Sequence, residues 1–293
     1  MKPSTARNYQ QRLAQVIDYI YNHLDGDLSV NTLAEVALMS PYHFHRIYRE
    51  MAQETVNATI RRLRLQRAAV ELIRSTQSIA RIAKQVAYGS QEAFSRAFSQ
   101  QFGESPVEYR QSRQAQPPPT AEPFIAMLPI QLMEYTEMFD VEINEITPTK
   151  LLGYRHQGDY NEIGALYEKL FINAGSNGLL DENTRSIGLY YDDPGTVDRD
   201  KLRSMACISV ADNSSDTGTE LEAMDIPAGK TASIVFKGSY AETHKAYSWF
   251  FGSWLPQSGH EAADFPPFEE YLNDPKETPP NELLTRISCL LTE

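Results

Sequence analysis

The sequence predicts two domains of different class: an N-terminal all-α domain with two helix-turn-helix units, and a C-terminal α+β domain made of a duplicated strand-helix-strand-strand unit. Three observations support this multidomain prediction. A helix-turn-helix pattern occurs twice before residue 114, a different pattern occurs twice after residue 157, and a proline-rich segment lies between the two halves. Since a repeated sequence pattern indicates a repeated structural unit, each half is expected to contain two copies of one unit.

Polar residues at helix starts delimit the two helix-turn-helix units. The units read SVNTLAEVALMSPYHFHRIYREM, from Ser29 to Met51, and SIARIAKQVAYGSQEAFSRAFSQQFG, from Ser78 to Gly103. Ser29 and Ser78 occupy N-cap positions, where a hydroxyl accepts a hydrogen bond from a free backbone N–H. Ser40, followed by proline at the first helical position, begins the second helix of the first unit. A longer helix, predicted over Val56–Arg74, joins the units.

The proline-rich segment QAQPPPTAEP coincides with a change in the sign of the charge. Three consecutive prolines cannot continue a helix and favour a stiff extended chain. Residues 1–115 carry 15 Lys+Arg against 10 Asp+Glu, whereas residues 116–293 carry 12 against 29. The basic part suits a phosphate backbone, and the acidic part suits a cationic ligand or serves solubility. The predicted boundaries are 8–113 for the double helix-turn-helix domain, 114–123 for the linker and 124–293 for the second domain, with its core at 138–292.

Residues near the start of the second helix of a helix-turn-helix unit meet base edges in the major groove. Arg46 and Arg96 occupy the same place in the two units. Arginine can pair with guanine and glutamine with adenine, and glutamate can accept a hydrogen bond from cytosine. One such unit also occurs in proteins that do not bind DNA, but two in tandem favour sequence-specific binding. The predicted DNA-binding residues are Tyr42, His43, His45, Arg46, Gln91, Glu92, Ser95 and Arg96.

A longer pattern carries a family resemblance. RRLRLQRAAVEL, followed by IARIAKQVAYGSQEAFSRAFSQQFGESPVEYR, resembles the DNA-binding domain of the AraC/XylS family, and the resemblance extends over residues 10–113. It implies a seven-helix domain with two recognition helices, double-stranded promoter DNA and RNA polymerase as partners, and activation or repression of transcription. Gln53 stands where the family usually has glycine, and Thr59 replaces a customary aromatic residue.

The second half contains its own repeat. GDYNEIGALYEKL begins at Gly158 and GSYAETHKAYSWF begins at Gly238, and Asp193-Pro194 recurs at nearly the same offset as Asp274-Pro275. A pocket on the pseudo-two-fold axis of such a duplication is a common ligand site. The predicted strands are 140–156, 185–192 and 203–211 in the first copy, and 220–236, 266–272 and 283–291 in the second.

A carboxylate among aromatic residues marks the second copy. In PPFEEYLNDP, Glu269 and Tyr271 share one face of a strand. Aromatic rings attract a cation through their faces, and a nearby carboxylate supplies the counter-charge. A second interpretation is that the aromatic rings form the core of the domain and that Glu269 points to solvent. Spacing alone supports the two interpretations equally.

The stretches GLYYDDPGTVDRDKLRSMACISV and FEEYLNDP resemble the GyrI-like effector-binding domain over about residues 138–292. The resemblance implies a duplicated unit with a central cleft for small aromatic or cationic compounds, as in multidrug-responsive regulators. It also implies that Glu269 is the glutamate of that cleft. The segment 124–137 belongs clearly to neither resemblance. The predicted effector-binding residues are Glu269, Tyr271, Trp254, Tyr247 and Tyr190.

These patterns lead to the hypothesis of a transcriptional regulator that responds to a small effector, without catalytic residues, cofactor or metal. Two alternatives stay open: hydrolysis of the bound compound with Glu269 as general base, and constitutive DNA binding with a protein-interaction module. Cys207 and Cys289 are far apart in the sequence, with no second cysteine near either, and are predicted to be buried thiols. The chain has neither an apolar run of about 18 residues nor a signal-peptide core, which predicts a cytoplasmic protein without membrane contact.

Overall fold

The computed structural model describes residues 3–26, 28–113, 138–211 and 220–292, with the backbone alone for residues 3–6. The predicted linker 114–123 and the segment 124–137 lie outside the described residues. Among the described helices, none combines the length and the apolar character that a bilayer span needs.

The N-terminal domain is helical, and its longest connecting helix has the predicted bounds. Its helices are α1 (Pro3–Asn22), α2 (Val30–Val36), α3 (Pro41–Ala52), α4 (Val56–Arg74), α5 (Ile79–Gln85), α6 (Gln91–Phe102) and α7 (Pro106–Arg113). The predicted serine caps are confirmed, because the Ser29, Ser40 and Ser78 hydroxyls accept hydrogen bonds from backbone N–H groups of α2, α3 and α5. The two helix-turn-helix units are therefore α2–α3 and α5–α6.

Two departures from the family pattern are accommodated in the first unit. Gln53 ends α3 in the left-handed region, at φ 56°, the conformation that glycine adopts most easily. Thr59 is fully buried in α4, where its hydroxyl accepts a hydrogen bond from Tyr48 and donates one to Glu54, both over 2.8 Å. Both substitutions are thus satisfied locally, and the path of α3 into α4 is kept.

The described residues of the C-terminal domain form an eight-stranded antiparallel sheet with helices from both repeats. The strands are β1 (Glu142–Ile146), β2 (Thr149–Gln157), β3 (Ser186–Tyr190), β4 (Arg203–Ser209), β5 (Glu222–Ile226), β6 (Gly229–Lys237), β7 (Phe268–Tyr271) and β8 (Leu284–Leu290). The helices are α8 (Gly164–Ser176), α9 (Thr243–Trp249) and α10 (Leu255–Ser258), and one π-helical stretch, Phe250–Trp254, joins the last two.

The strand order β1-β6-β8-β7-β3-β4-β2-β5 is pseudo-symmetric. Exchanging the strands of the first repeat, β1 to β4, with those of the second, β5 to β8, reproduces the order in reverse. The pseudo-two-fold axis therefore passes between β3 and β7, where Gly188 pairs with Glu269. The predicted duplication is confirmed, and its axis lies at the predicted cleft glutamate.

Two predicted strands need correction. The segments 140–156 and 220–236 were each expected to form one strand, but each forms two, separated by Thr147-Pro148 and by Pro227-Ala228. Proline lacks the N–H that a continuous ladder requires. Each repeat thus gives its first strand to the other repeat's half, since β1 pairs with β6 and β5 pairs with β2. The two residues that link β1 to β2, and those that link β5 to β6, span only about 11 Å. Since the linked strands lie near opposite ends of the strand order, the sheet must curve until its ends approach each other.

Candidate effector cleft and DNA-reading helices

The centre of the candidate site is a buried carboxylate on the pseudo-two-fold axis. Glu269 on β7 is 6% exposed and is paired across the sheet with Gly188 on β3. The offset that relates Asp193 to Asp274 also relates Gly188 to Glu269, so these two paired positions are equivalent in the repeats. A Cβ atom at Gly188 would lie 2.8 Å from the Tyr190 ring. One repeat thus supplies the acid, and the other supplies a glycine whose missing side chain makes room for the neighbouring tyrosines.

Tyrosines from both repeats surround Glu269. The Tyr247 hydroxyl donates a hydrogen bond to the Glu269 carboxylate over 3.0 Å, and Tyr271 also hydrogen-bonds to it. The hydroxyls of the symmetry-related Tyr190 and Tyr271 form a hydrogen bond of 2.5 Å. Tyr167, the counterpart of Tyr247, stacks edge-on against Tyr271 with ring centroids 5.5 Å apart. The arrangement is a cage of tyrosine rings with one carboxylate in it.

Burial dominates the ionisation of this carboxylate. Loss of water around Glu269 raises its pKa to about 7, against the smaller opposing effects of the Tyr247 and Tyr271 hydrogen bonds and the Arg46 charge. Near neutral pH the carboxyl is consequently poised between its neutral and charged forms. A cation that enters the cage favours the charged form and expels a proton.

The cage opens into a cleft of about 1780 Å³, a volume larger than most drug-sized ligands need. Four of the five predicted effector-binding residues line it: Glu269, Tyr271, Tyr247 and Tyr190. The structure corrects the fifth, because Trp254 does not belong to that lining. Trp254 is the last residue of the π-helical stretch, and its ring packs on Phe250 in the core, with centroids 4.9 Å apart.

The first recognition helix, α3, is docked on the C-terminal domain. The Ser40 hydroxyl, which caps α3, donates to the Asp264 carboxylate over 2.8 Å. His43 is 1% exposed, and its Nε2 donates to the Phe265 carbonyl over 2.9 Å. Burial, with a contribution from the Arg46 charge, lowers the His43 pKa to about 4, so the ring is neutral at pH 7. A residue predicted to read DNA is therefore held inside an interdomain contact.

Arginines of α3 complete this contact. Arg46 is 4% exposed; it donates to the Asp192 carbonyl over 2.7 Å, and its guanidinium lies 4.8 Å from the Tyr247 ring centroid. Arg49 donates to the Asp193 carboxylate over 2.7 Å. Both arginines line the cleft. The predicted effector site and the predicted DNA-reading helix thus share one surface, which sequence reasoning did not foresee.

Apolar packing is continuous across the same contact. Phe44 and Ile47 of α3 belong to one buried cluster with Phe250, Phe251 and residues of the sheet. Phe171 on α8, the counterpart of Phe251 in the first repeat, remains 40% exposed. The two halves of the C-terminal domain therefore differ because α3 covers only one of them.

The second recognition helix has a different environment. Gln91, Glu92 and Arg96 on α6 are exposed and Ser95 is half-buried. The core under α6, formed by residues such as Phe94 and Phe98, is a separate cluster confined to the second helix-turn-helix unit. On α3, Tyr42 and His45 are half-buried whereas His43 and Arg46 are buried. The residues predicted to read DNA are therefore mostly exposed on α6, whereas on α3 they face the C-terminal domain.

Two family models match the chain. A GyrI-like small molecule binding domain matches residues 139–290, about half of the chain, and a helix-turn-helix domain matches residues 33–112. The two matches fall on the two domains of the fold, one on each.

The prediction for the cysteines is confirmed, since Cys207 and Cys289 are free and buried.

Two relatives each match less than half of this chain. The regulatory protein SoxS of Salmonella typhimurium is 34% identical over 103 residues, which are 35% of this chain and 96% of SoxS. The right origin-binding protein of Escherichia coli is 31% identical over 141 residues, 48% of this chain and 46% of that protein. Among solved structures, the cryo-EM structure of the EcmrR–DNA complex in EcmrR-RPo matches 55% of this chain and 60% of that chain, with 18% identity and a TM-score of 0.48.

The chain spans nearly all of SoxS but about half of the right origin-binding protein. The helical half supplies two helix-turn-helix units, and the strand-rich half supplies a matched small-molecule domain. The chain therefore belongs to the AraC/XylS family of DNA-binding transcriptional regulators, with a GyrI-like small-molecule binding domain in its C-terminal half.

Proposed function

We propose that this regulator responds to a small hydrophobic cation bound in the cleft between the two repeats. The observation that carries the proposal is the Glu269 carboxylate, buried on the pseudo-two-fold axis among tyrosine rings. A buried carboxylate is costly unless something offsets its charge. Cation–π attraction from the rings and the carboxylate's counter-charge together favour a cationic, partly aromatic compound. Glu269, Tyr247, Tyr271 and Tyr190 are its proposed contacts.

DNA recognition is proposed to use both recognition helices. In the first unit the residues are Tyr42, His43, His45 and Arg46, and in the second they are Gln91, Glu92, Ser95 and Arg96. Two reading helices in one chain suit adjacent major-groove segments of promoter DNA, where RNA polymerase is the expected partner. The acidic C-terminal half does not suit the DNA backbone, so the basic helical half carries these contacts.

Binding of tetraphenylphosphonium, a permanent hydrophobic cation, tests the effector proposal. Isothermal titration of the full chain at pH 7 is expected to show binding that Glu269→Gln weakens at least tenfold, because the amide keeps the shape and removes the charge. Neutral triphenylphosphine oxide is the matched control and should bind more weakly than the cation. Proton release is also expected for the wild type and not for the variant, since the cation favours ionised Glu269.

The proposal fails if Glu269→Gln binds tetraphenylphosphonium as tightly as the wild type, or if the neutral compound binds equally well. Since a carboxyl poised near neutral pH could also serve as a general base, hydrolysis needs a separate test. Chromatography of a cationic ester before and after incubation with the protein distinguishes binding from turnover. Recovery of the intact ester supports an effector site.

A further inference from the structure

Arg46 lies over the ring of Tyr247, one of the residues proposed above to contact the effector. Its guanidinium lies 4.8 Å from the Tyr247 ring centroid and 5.9 Å from that of Phe251. The Tyr247 hydroxyl, in turn, is bound to the Glu269 carboxylate. The arginine thus sits over an aromatic ring that is fixed by the cleft's carboxylate, the combination proposed above for the effector.

The buried guanidinium of Arg46 is incompletely paired by its remaining contacts. One nitrogen of Arg46 donates to the Asp192 carbonyl over 2.7 Å. The Asp193 carboxylate lies 4.0 Å from Arg46 but only 2.7 Å from Arg49, which is therefore its main partner. The Nε atom of Arg46 is buried without a hydrogen-bond partner. Since a buried, incompletely paired charge is costly, this arrangement holds α3 in place reversibly.

We propose that Arg46 is an internal competitor of the effector: it fills the cation site of the cleft while α3 is docked, and an entering cation displaces it and releases α3 to DNA. This inference rests on the proposed function, because it assumes a cation site at Glu269 and Tyr247. One side chain thereby serves two exclusive purposes, as the cleft's resident cation and as a base-reading residue. By linkage, operator DNA that engages α3 raises the affinity for the cation by the same factor.

The test measures tetraphenylphosphonium affinity of the full chain with Arg46→Met, which keeps much of the aliphatic packing and removes the charge. Removal of a competitor that is docked most of the time is expected to tighten cation binding at least tenfold, because the competent fraction rises. Arg96→Met, at the equivalent place in the second unit and exposed, is the matched control and should leave cation affinity unchanged.

The outcomes separate the two proposals. If the wild type binds the cation through Glu269 but Arg46→Met binds it no more tightly, the cation site stands and the competition is disproved. If neither protein binds the cation, both proposals fail. Tighter binding by Arg46→Met with no change in Arg96→Met supports the competition.

A native thiol provides a second readout that needs no substitution. The Cys289 sulfur lies 3.9 Å from His43 Nε2, beneath the docked helix, and burial raises its pKa to about 12. Tetraphenylphosphonium is expected to accelerate labelling of Cys289 by a thiol reagent at least tenfold, because release of α3 uncovers it. Cys207, buried in β4 within a core cluster that contains no residue of α3, is the internal control. Unchanged Cys289 labelling at saturating cation overturns the inference.

Discussion

Replacing Asp193 with asparagine is expected to raise the affinity of the effector-free protein for operator DNA by about tenfold or more. The Asp193 carboxylate is 2% exposed and is the counter-charge of Arg49 and, more distantly, of Arg46. Loss of one partner of a buried ion pair costs about 3–5 kcal/mol, and Arg49 is a quarter exposed, so a smaller cost is expected. Even about 1.4 kcal/mol shifts docking tenfold toward free α3.

The duplication supplies the control for this experiment. Asp274 is the equivalent of Asp193 in the second repeat, but it is exposed and caps a turn by accepting from the Lys276 backbone N–H. Asp274→Asn is expected to leave DNA affinity unchanged. The affinity for DNA is measured by electrophoretic mobility shift. The operator is first selected from random DNA by the wild-type protein in the presence of tetraphenylphosphonium. Equal affinity of Asp193→Asn and wild type would show that this contact does not restrain α3.

Glu269→Gln is expected to become progressively more stable than the wild type as the pH rises. The carboxyl has a pKa of about 7 when folded, above the ordinary value of 4.5, so the folded wild type binds more protons between these values. Its stability is therefore fully present below about pH 4.5 and falls as the pH approaches 7. The variant's advantage should grow by about 3 kcal/mol between pH 4.5 and pH 8.

Urea unfolding monitored by tryptophan fluorescence measures this difference. Both tryptophans, Trp249 and Trp254, lie in the C-terminal domain, so the signal reports the relevant half. Effects of other groups such as His43 cancel in the comparison at each pH. Glu270→Gln, at the next position and paired with Arg286 at 2.8 Å, is the control and should not show the rise. A pH-independent difference for Glu269→Gln contradicts the account of the buried carboxyl.

Much of the fold follows from local sequence chemistry. Ser40 before Pro41, and the apolar spacing across Val56–Arg74, predict helix starts and lengths because caps and periodicity act within one or two turns. The constant offset between matching residues of the two repeats predicts the duplicated domain. Spacing alone left Glu269 between the cleft and solvent, and the resemblance of FEEYLNDP to the GyrI-like domain assigned it to the cleft. Each of these signals is contained within a short stretch or in a comparison of two stretches.

The exchange of β1 and β5 between the repeats could not be predicted from such signals. Strand pairing across the sheet depends on curvature, and the local marks, Pro148 and Pro227, show that a strand breaks but not where the chain goes next.

The docking of α3 on the C-terminal domain could not be predicted from the sequence for a different reason. Arg46 and His43 bind the carbonyls of Asp192 and Phe265, and a backbone carbonyl leaves no trace in residue identity. The same side chains therefore match a DNA-reading pattern and an interdomain contact equally well.

Cross-linking α3 to the C-terminal domain tests most directly whether docking and DNA reading exclude each other. Ser248 on α9 donates to Glu50 on α3 over 3.0 Å, so cysteines at these two positions can be joined by a short, cleavable dithio linker. With operator DNA and saturating tetraphenylphosphonium, the joined protein is expected to protect one major-groove segment, that of α6, in hydroxyl-radical footprinting. Cleavage of the linker should restore protection of two adjacent segments. Two protected segments in the joined protein would contradict the account.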